Sequence, residues 1–252
     1  MKKLLLLVVL LLPLFLFAQK DAPKKNKTTV LILHPLPNER ESFEQALAQH
    51  NNKFHKDQGQ VDIYEVLAGD RTGEYHFVYR NPASWADVET AFNAVDEKGH
   101  SDDWSQNVAK HLADAGKRFF YEMSDDSYFS ANPSEMHTDL MGVYFIDINP
   151  GMESDFYAGT KKIKEMYKKS NTKNYFVIQT RMFGKGSQAV VLFPLPKGWA
   201  SFEPGPNDDW SKMFKATFPK EDFNAWIKKF NSTQKSFESM VVKHRQDLSS
   251  PM

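Results

Sequence analysis

The stretch EYHFVYR at residues 74–80 sets an imidazole, a guanidinium and two phenols within one short apolar-rich run. Side chains along a strand point alternately to its two faces, so Tyr75, Phe77 and Tyr79 fall on one side and His76, Val78 and Arg80 on the other. The more polar face is the natural wall of a cavity. His34, from TTVLILHPL (28–36), and Tyr64 or Glu65, from QVDIYEVLA (60–68), are placed to join it. Aromatic rings beside a few convergent polar groups are typical of ligand pockets. His34, Tyr64, His76, Tyr79 and Arg80 are therefore the ligand-binding candidates, and no catalytic residue is assigned. The same side chains also satisfy one another as ion pairs at a sheet edge, which is the plainer use of them.

Other chemistry is harder to find. The eight histidines stand at 34, 50, 55, 76, 100, 111, 137 and 244. His50 and His55 are five apart on one expected helix, so they do not share a face as an i, i+4 pair would. His100 lies beside Asp102 and Asp103 in GHSDDW, but acids there serve a helix start, so no metal centre is expected. The tetrapeptide Asp-Asp-Trp-Ser occurs twice, at 102–105 and 208–211, with Ser101 and Asn207 as expected N-caps. No G-x-S-x-G elbow, P-loop or G-x-G-x-x-G fingerprint is present. FGKGSQ (183–188) has the residues of a phosphate cradle but precedes a strand, not a helix.

These residues need elements to hold them, and the elements repeat. A shift of 114 residues lays EYHFVYRNPASW (74–85) on QAVVLFPLPKGW (188–199), matching Pro82 to Pro196 and Trp85 to Trp199. The same shift sets 61–67 on 175–181. Each half reads strand, helix, strand, turn, strand, helix. In the first, Phe43, Leu47, His50 and Phe54 keep one helical face; Trp85, Val88, Phe92 and Val95 keep another. A further helix is expected from Ser101 to Phe119, followed by a strand in 119–130. In the second half, LMGVYFIDIN (140–149) is a strand, Phe156 to Tyr167 a helix, and a long helix is expected from Pro219 to about 246. His76, Arg80 and Tyr64 map onto Val190, Pro194 and Ile178, so any site is single and belongs to the first half.

This order resembles the tandem ferredoxin-like units of the dimeric α+β barrel superfamily. The resemblance implies an α+β fold, with two antiparallel sheets packed against each other and helices outside. It covers residues 28–130 as the first repeat and 138–248 as the second. It also implies a monomer, as an internal pseudo-dimer. The long terminal helix leaves the second repeat without a last strand to close a barrel. Members of the superfamily include cofactor-free and haem-dependent oxidative enzymes. That would give His34 or His76 the role of base or iron ligand, with Arg80 stabilising negative charge and Tyr64 beside them.

The amino terminus opens MKKLLLLVVLLLPLFLFAQK, two lysines and an apolar run over 4–17. That is the pattern of a signal peptide over 1–19, too short for a comfortable membrane span, and residues 20–27 form a polar tether. Export to a periplasmic or extracellular place is expected. Basic and acidic residues balance at 32 each, which offers no footprint for nucleic acid. Cysteine is absent, which excludes thiol catalysis, thiolate ligation and a lipid-modified cysteine. The expected function is an exported module binding a small apolar or amphipathic molecule between the sheets, without a cofactor. The oxidative enzyme, with haem as its conceivable cofactor, and a structural envelope protein are the alternatives.

Overall fold

The computed structural model describes residues 26–251, except 57–58, 81, 83, 97–98, 115, 130–137, 171, 173–174 and 204–208. The expected signal peptide, most of the tether, His137 and Asn207 lie outside the described residues.

The first unit runs β1 (Lys27–Leu33), α1 (Arg40–Phe54), β2 (Val61–Ala68), β3 (Tyr75–Tyr79), α2 (Trp85–Asp96), α3 (His100–Asp103) and β4 (Lys117–Met123). The second runs β5 (Leu140–Ile148), α4 (Glu153–Ser170), β6 (Val177–Arg181), β7 (Gln188–Pro194), α5 (Trp210–Thr217), α6 (Phe223–Ser232) and β8 (Gln234–His244). The strands close a barrel in the order β1-β3-β2-β8-β5-β7-β6-β4, antiparallel throughout. Each unit contributes four adjacent strands. Two seams join them, β2 to β8 at Tyr64↔His244 and β4 to β6 at Tyr121↔Arg181. This is the dimeric α+β barrel fold within one chain.

β8 corrects the sequence reading. Phe237, Met240 and Val241 keep helical spacing, yet the helix ends at Ser232 and these residues sit in an eleven-residue strand. The strand wins because it pairs on both sides, with β2 and with β5, and no other described strand stands between those two. The helix expected to reach Phe119 also stops early. α3 continues as a π-helical turn (Trp104–Val108) and a 3-10 turn (Ala109–His111), after which β4 takes Phe119 inward.

Three apolar clusters follow from strand alternation. Leu33, Val61, Ile63, Tyr75 and Phe77 pack under Phe43 and Leu47 of α1, outside the first sheet. Ile146, Ile148, Ile178 and Ala189 pack under Phe156 and Ile163 of α4, outside the second. Inside the barrel, Val66, Tyr121, Val143, Val190, Met240 and Val242 meet Tyr64, Phe119 and Phe145. The space expected as a cavity between the sheets is thus occupied by packed side chains, as in small barrels generally. A cavity of about 250 Å³ lies instead on the outer face, lined by Thr29, Gln60, Tyr79, Arg80, Val88 and Phe92.

The β2–β3 turn depends on Gly69, at φ +109, where an added Cβ would stand 2.6 Å from the Ser239 carbonyl oxygen. That close approach lets β8 lie against the turn.

Candidate metal centre

The expected candidates divide into two ion-pair groups and one outlier. His34 Nε2 lies 3.0 Å from Glu74, which also accepts from Arg71 Nε at 2.7 Å; His76 Nε2 stands 3.7 Å away. Burial works to raise the Glu74 pKa, but the neighbouring His76, Arg71 and His34 outweigh it and hold the carboxyl at about 2. Arg80 donates to Asp62 at 3.0 Å and to the Ser250 carbonyl at 3.1 Å, while His244 pairs with Asp62 at 3.3 Å under the ring of Tyr64. The structure therefore joins His34 to His76 through Glu74, and brings Tyr64 and Arg80 together around Asp62 and His244. Tyr79 faces the helices, between Phe92 and His55.

Haem does not fit these residues. An axial imidazole needs a ring nitrogen facing room for a macrocycle. Both His34 nitrogens face carboxylates, and His244 Nε2 is held by Asp62 and Ser249. His76 Nε2 has no hydrogen-bond partner, yet His76 is buried beside its strand neighbours Ile32 and Tyr64 in the filled interior.

A different set of histidines converges on the outer side of the first sheet. Apolar residues Phe43, Leu47 and Phe54 roll α1 onto the sheet, and that roll carries His50 inward with them. The helix ends at Phe54. His55 is its C-cap, at φ −108 and ψ 18, so its ring leaves the helical path and is buried against Phe77 and Tyr79. His100 opens α3, after Gly99 turns the chain in the left-handed region at φ 76. One nitrogen from each of His50, His55 and His100 lies within 4.8 Å of the others.

The hydrogen bonds around these rings fix their tautomers. His50 Nδ1 donates to Asp103 Oδ2 at 2.8 Å, and His55 Nδ1 donates to the Gly59 carbonyl at 2.7 Å. Each Nε2 is left with its lone pair. His55 Nε2 lies 3.2 Å from His100 Nε2, and His50 Nε2 is buried with no hydrogen-bond partner. Two nitrogens bound to one tetrahedral metal at 2.0–2.1 Å stand about 3.3 Å apart. The His55–His100 pair already has that separation.

Electrostatics favours the neutral, ligating form. Burial lowers the His50 pKa, against the opposing pull of Asp103. Burial also pushes His55 down to about 3; the Gly59 carbonyl opposes it, and the neighbouring His100 and His50 add to it. Asp103 Oδ1 takes Lys53 Nζ at 3.0 Å, which fixes the carboxylate that orients His50. Around the rings stand Phe54, Phe77, Tyr79 and Trp104.

Sequence reasoning missed this set by extending α1 through residue 55. A spacing of five is unhelpful on a helix, but it is no obstacle when the second residue is the cap. The repeated Asp-Asp-Trp-Ser also divides by role. In the second copy Asp209 caps α5, accepting from the Lys212 amide at 3.0 Å. In the first, Ser101 is already inside α3, Gly99 is the cap, and Asp103 turns to His50. The repeat shift places Lys164 and Lys169 at the positions of His50 and His55, so the second unit lacks the centre.

No family model matches the chain, and no curated protein matches it. Solved structures do. A putative monooxygenase from Fusobacterium nucleatum superposes with a TM-score of 0.54 at 11% identity, covering 88% of this chain and 94% of the other. An anthrone oxidase-like protein gives 0.53 at 9% identity, covering 88% and 92%. Chlorite dismutase from Candidatus Nitrospira defluvii in complex with imidazole gives 0.48 at 10%, covering 88% and 92%. The likeness is one of fold.

Proposed function

We propose that the protein binds one divalent transition-metal ion, Zn²⁺ or Cu²⁺, through His50, His55 and His100. The observation that carries this is the convergence of three imidazole nitrogens within 4.8 Å while the far nitrogens of His50 and His55 are committed to Asp103 and Gly59. A carboxylate or carbonyl behind a ligating histidine is the usual support of a metal site. Imidazole suits Zn, Cu, Fe and Ni, and the absence of cysteine leaves no thiolate to compete. Three protein ligands leave a fourth position, where a bound metal supplies Lewis acidity or, if redox-active, electron transfer. Asp103 and Gly59 hold the protons on the far nitrogens, and Trp104 with Phe54 walls the site. Equilibrium dialysis against Zn²⁺ and Cu²⁺ tests the proposal. One ion per chain supports it, and binding unchanged in His100→Ala opposes it.

We infer a second reading, oxidative chemistry, because the Fusobacterium protein and the anthrone oxidase-like protein share this barrel under names that denote oxidation. These names favour it over the small-molecule module, since the barrel interior is filled. Dioxygen uptake with oxidisable phenolic compounds and no added cofactor tests it, with turnover in its favour and no uptake against it. Export after cleavage near Ala18 and a monomeric state belong to the same proposal. Amino-terminal sequencing and light scattering check them.

A further inference from the structure

The outer face of the first sheet keeps a space that its helices do not fill. Thr29 pairs with Tyr79 in the β1–β3 register, and residues directly opposite one another send their side chains to the same face. Tyr79 faces the helices, so Thr29 does too. α2 brings Val88, Ala91 and Phe92 to the same cavity of about 250 Å³, with the Phe92 ring 4.9 Å from that of Tyr79. An apolar cavity of roughly 150 Å³ holds benzene, so this one has room for a single ring and a short polar substituent.

The lining selects both parts. Val88, Ala91 and Phe92 offer apolar contact, and burial pushes the Tyr79 phenol up to about 12 against the pull of Arg118, so that wall stays neutral. Thr29 is fully buried, and its Oγ1 has no hydrogen-bond partner. A hydroxyl both donates and accepts, and buried polar groups are satisfied as a rule, so Thr29 calls for a guest with a polar atom of its own. Charge decides against an ion. Arg80, which also lines the cavity, is committed to Asp62 at 2.9 Å and to the Ser250 carbonyl at 3.1 Å, so an entering anion meets a guanidinium already paired. Asp87 is exposed to solvent, so a cation gains little from it.

We propose that this cavity binds a neutral monocyclic aromatic molecule carrying a hydroxyl or carbonyl group, with its ring against Phe92 and Val88 and its polar atom toward Thr29. The site lies outside the barrel, whose interior is filled. It neighbours the three histidines, since Tyr79 also packs on His55, and the Gly59 carbonyl that accepts from His55 Nδ1 belongs to a residue of the cavity wall. It does not rest on a metal being bound there.

The test is a titration of the full chain with benzyl alcohol, in the presence of a chelator so that the outcome is separate from metal binding, followed by the amide NMR shifts of Gly59, Tyr79 and Val88. Saturable shifts are expected at these residues. They should vanish in Ala91→Phe, which fills the cavity, and need about fivefold more ligand in Thr29→Val, which keeps the shape without the hydroxyl. Benzoate should bind about tenfold more weakly or worse. Circular dichroism checks the fold of each variant, and Thr29→Val decides should Ala91→Phe unfold. The absence of saturable shifts would overturn the proposal, leaving the cavity to water. So would shifts unchanged in either folded variant, or benzoate bound as tightly as the alcohol.

Discussion

His50 and Asp103, 53 positions apart, are joined by a 2.8 Å hydrogen bond from the imidazole Nδ1 to the carboxylate. The bond turns His50 Nε2 toward His55 and His100 and ties α1 to α3. It also separates the two copies of Asp-Asp-Trp-Ser into a supporting role in one unit and a capping role in the other.

Asp103→Ala should weaken Zn²⁺ binding about 10- to 100-fold, the usual cost of losing a carboxylate behind a ligating histidine. Asp209→Ala should leave metal binding unchanged and cost about 1 kcal/mol of stability through loss of the cap. Isothermal titration and thermal unfolding of the two variants, side by side, check the contrast.

The metal-free protein should lose stability in acid through His55. Its folded pKa, about 3, lies below the unfolded value near 6.5. The unfolded chain therefore takes up a proton first. The contribution is whole above about pH 6.5 and is lost as pH falls toward 3, on the order of 5 kcal/mol in all. His50, shifted the same way, adds to the slope. Urea unfolding between pH 7 and 4 should be steeper in wild type than in His55→Gln.

Much of the fold was legible in the sequence because burial imposes periodicity. The face shared by Phe43, Leu47, His50 and Phe54, and the split of Tyr75, Phe77 and Tyr79 from His76, Val78 and Arg80, follow from one helical and one strand period. β8 was not legible, since Phe237, Met240 and Val241 fit helical spacing and only pairing with β2 and β5 settles the matter. The metal centre was hidden for a similar reason. A cap at residue 55, a turn at Gly59 and a ring brought from position 100 are tertiary facts, and single histidines carry no period.

Arg245 donates to Glu44 at 2.7 and 2.8 Å and to Glu65 at 3.0 Å, just beyond β8. Glu44 is held at about 2, chiefly by its bond from Arg245 against the opposing effect of burial. Arg245→Ala would leave half-buried Glu44 and buried Glu65 to share one cation, Arg40, behind the β2–β8 seam. A loss of about 3 kcal/mol is expected in urea unfolding, mostly through the uncompensated charge. The double variant Arg245→Ala, Glu44→Gln should recover part of it.

Metal saturation should raise the melting temperature. At a free Zn²⁺ concentration one hundred times Kd the stabilisation is about 2.7 kcal/mol, and a chelator reverses it. Scanning calorimetry of wild type and His50→Ala, with and without Zn²⁺, should show the shift in the first alone.

The most direct measurement is the metal content of the purified chain after equilibrium dialysis against Zn²⁺ or Cu²⁺, compared with His50→Ala, His55→Ala and His100→Ala. One ion per wild-type chain, lost in each variant while circular dichroism stays unchanged, is the predicted result. Less than a tenth of an ion per chain, or one ion retained in all three variants, would contradict a centre built from these histidines.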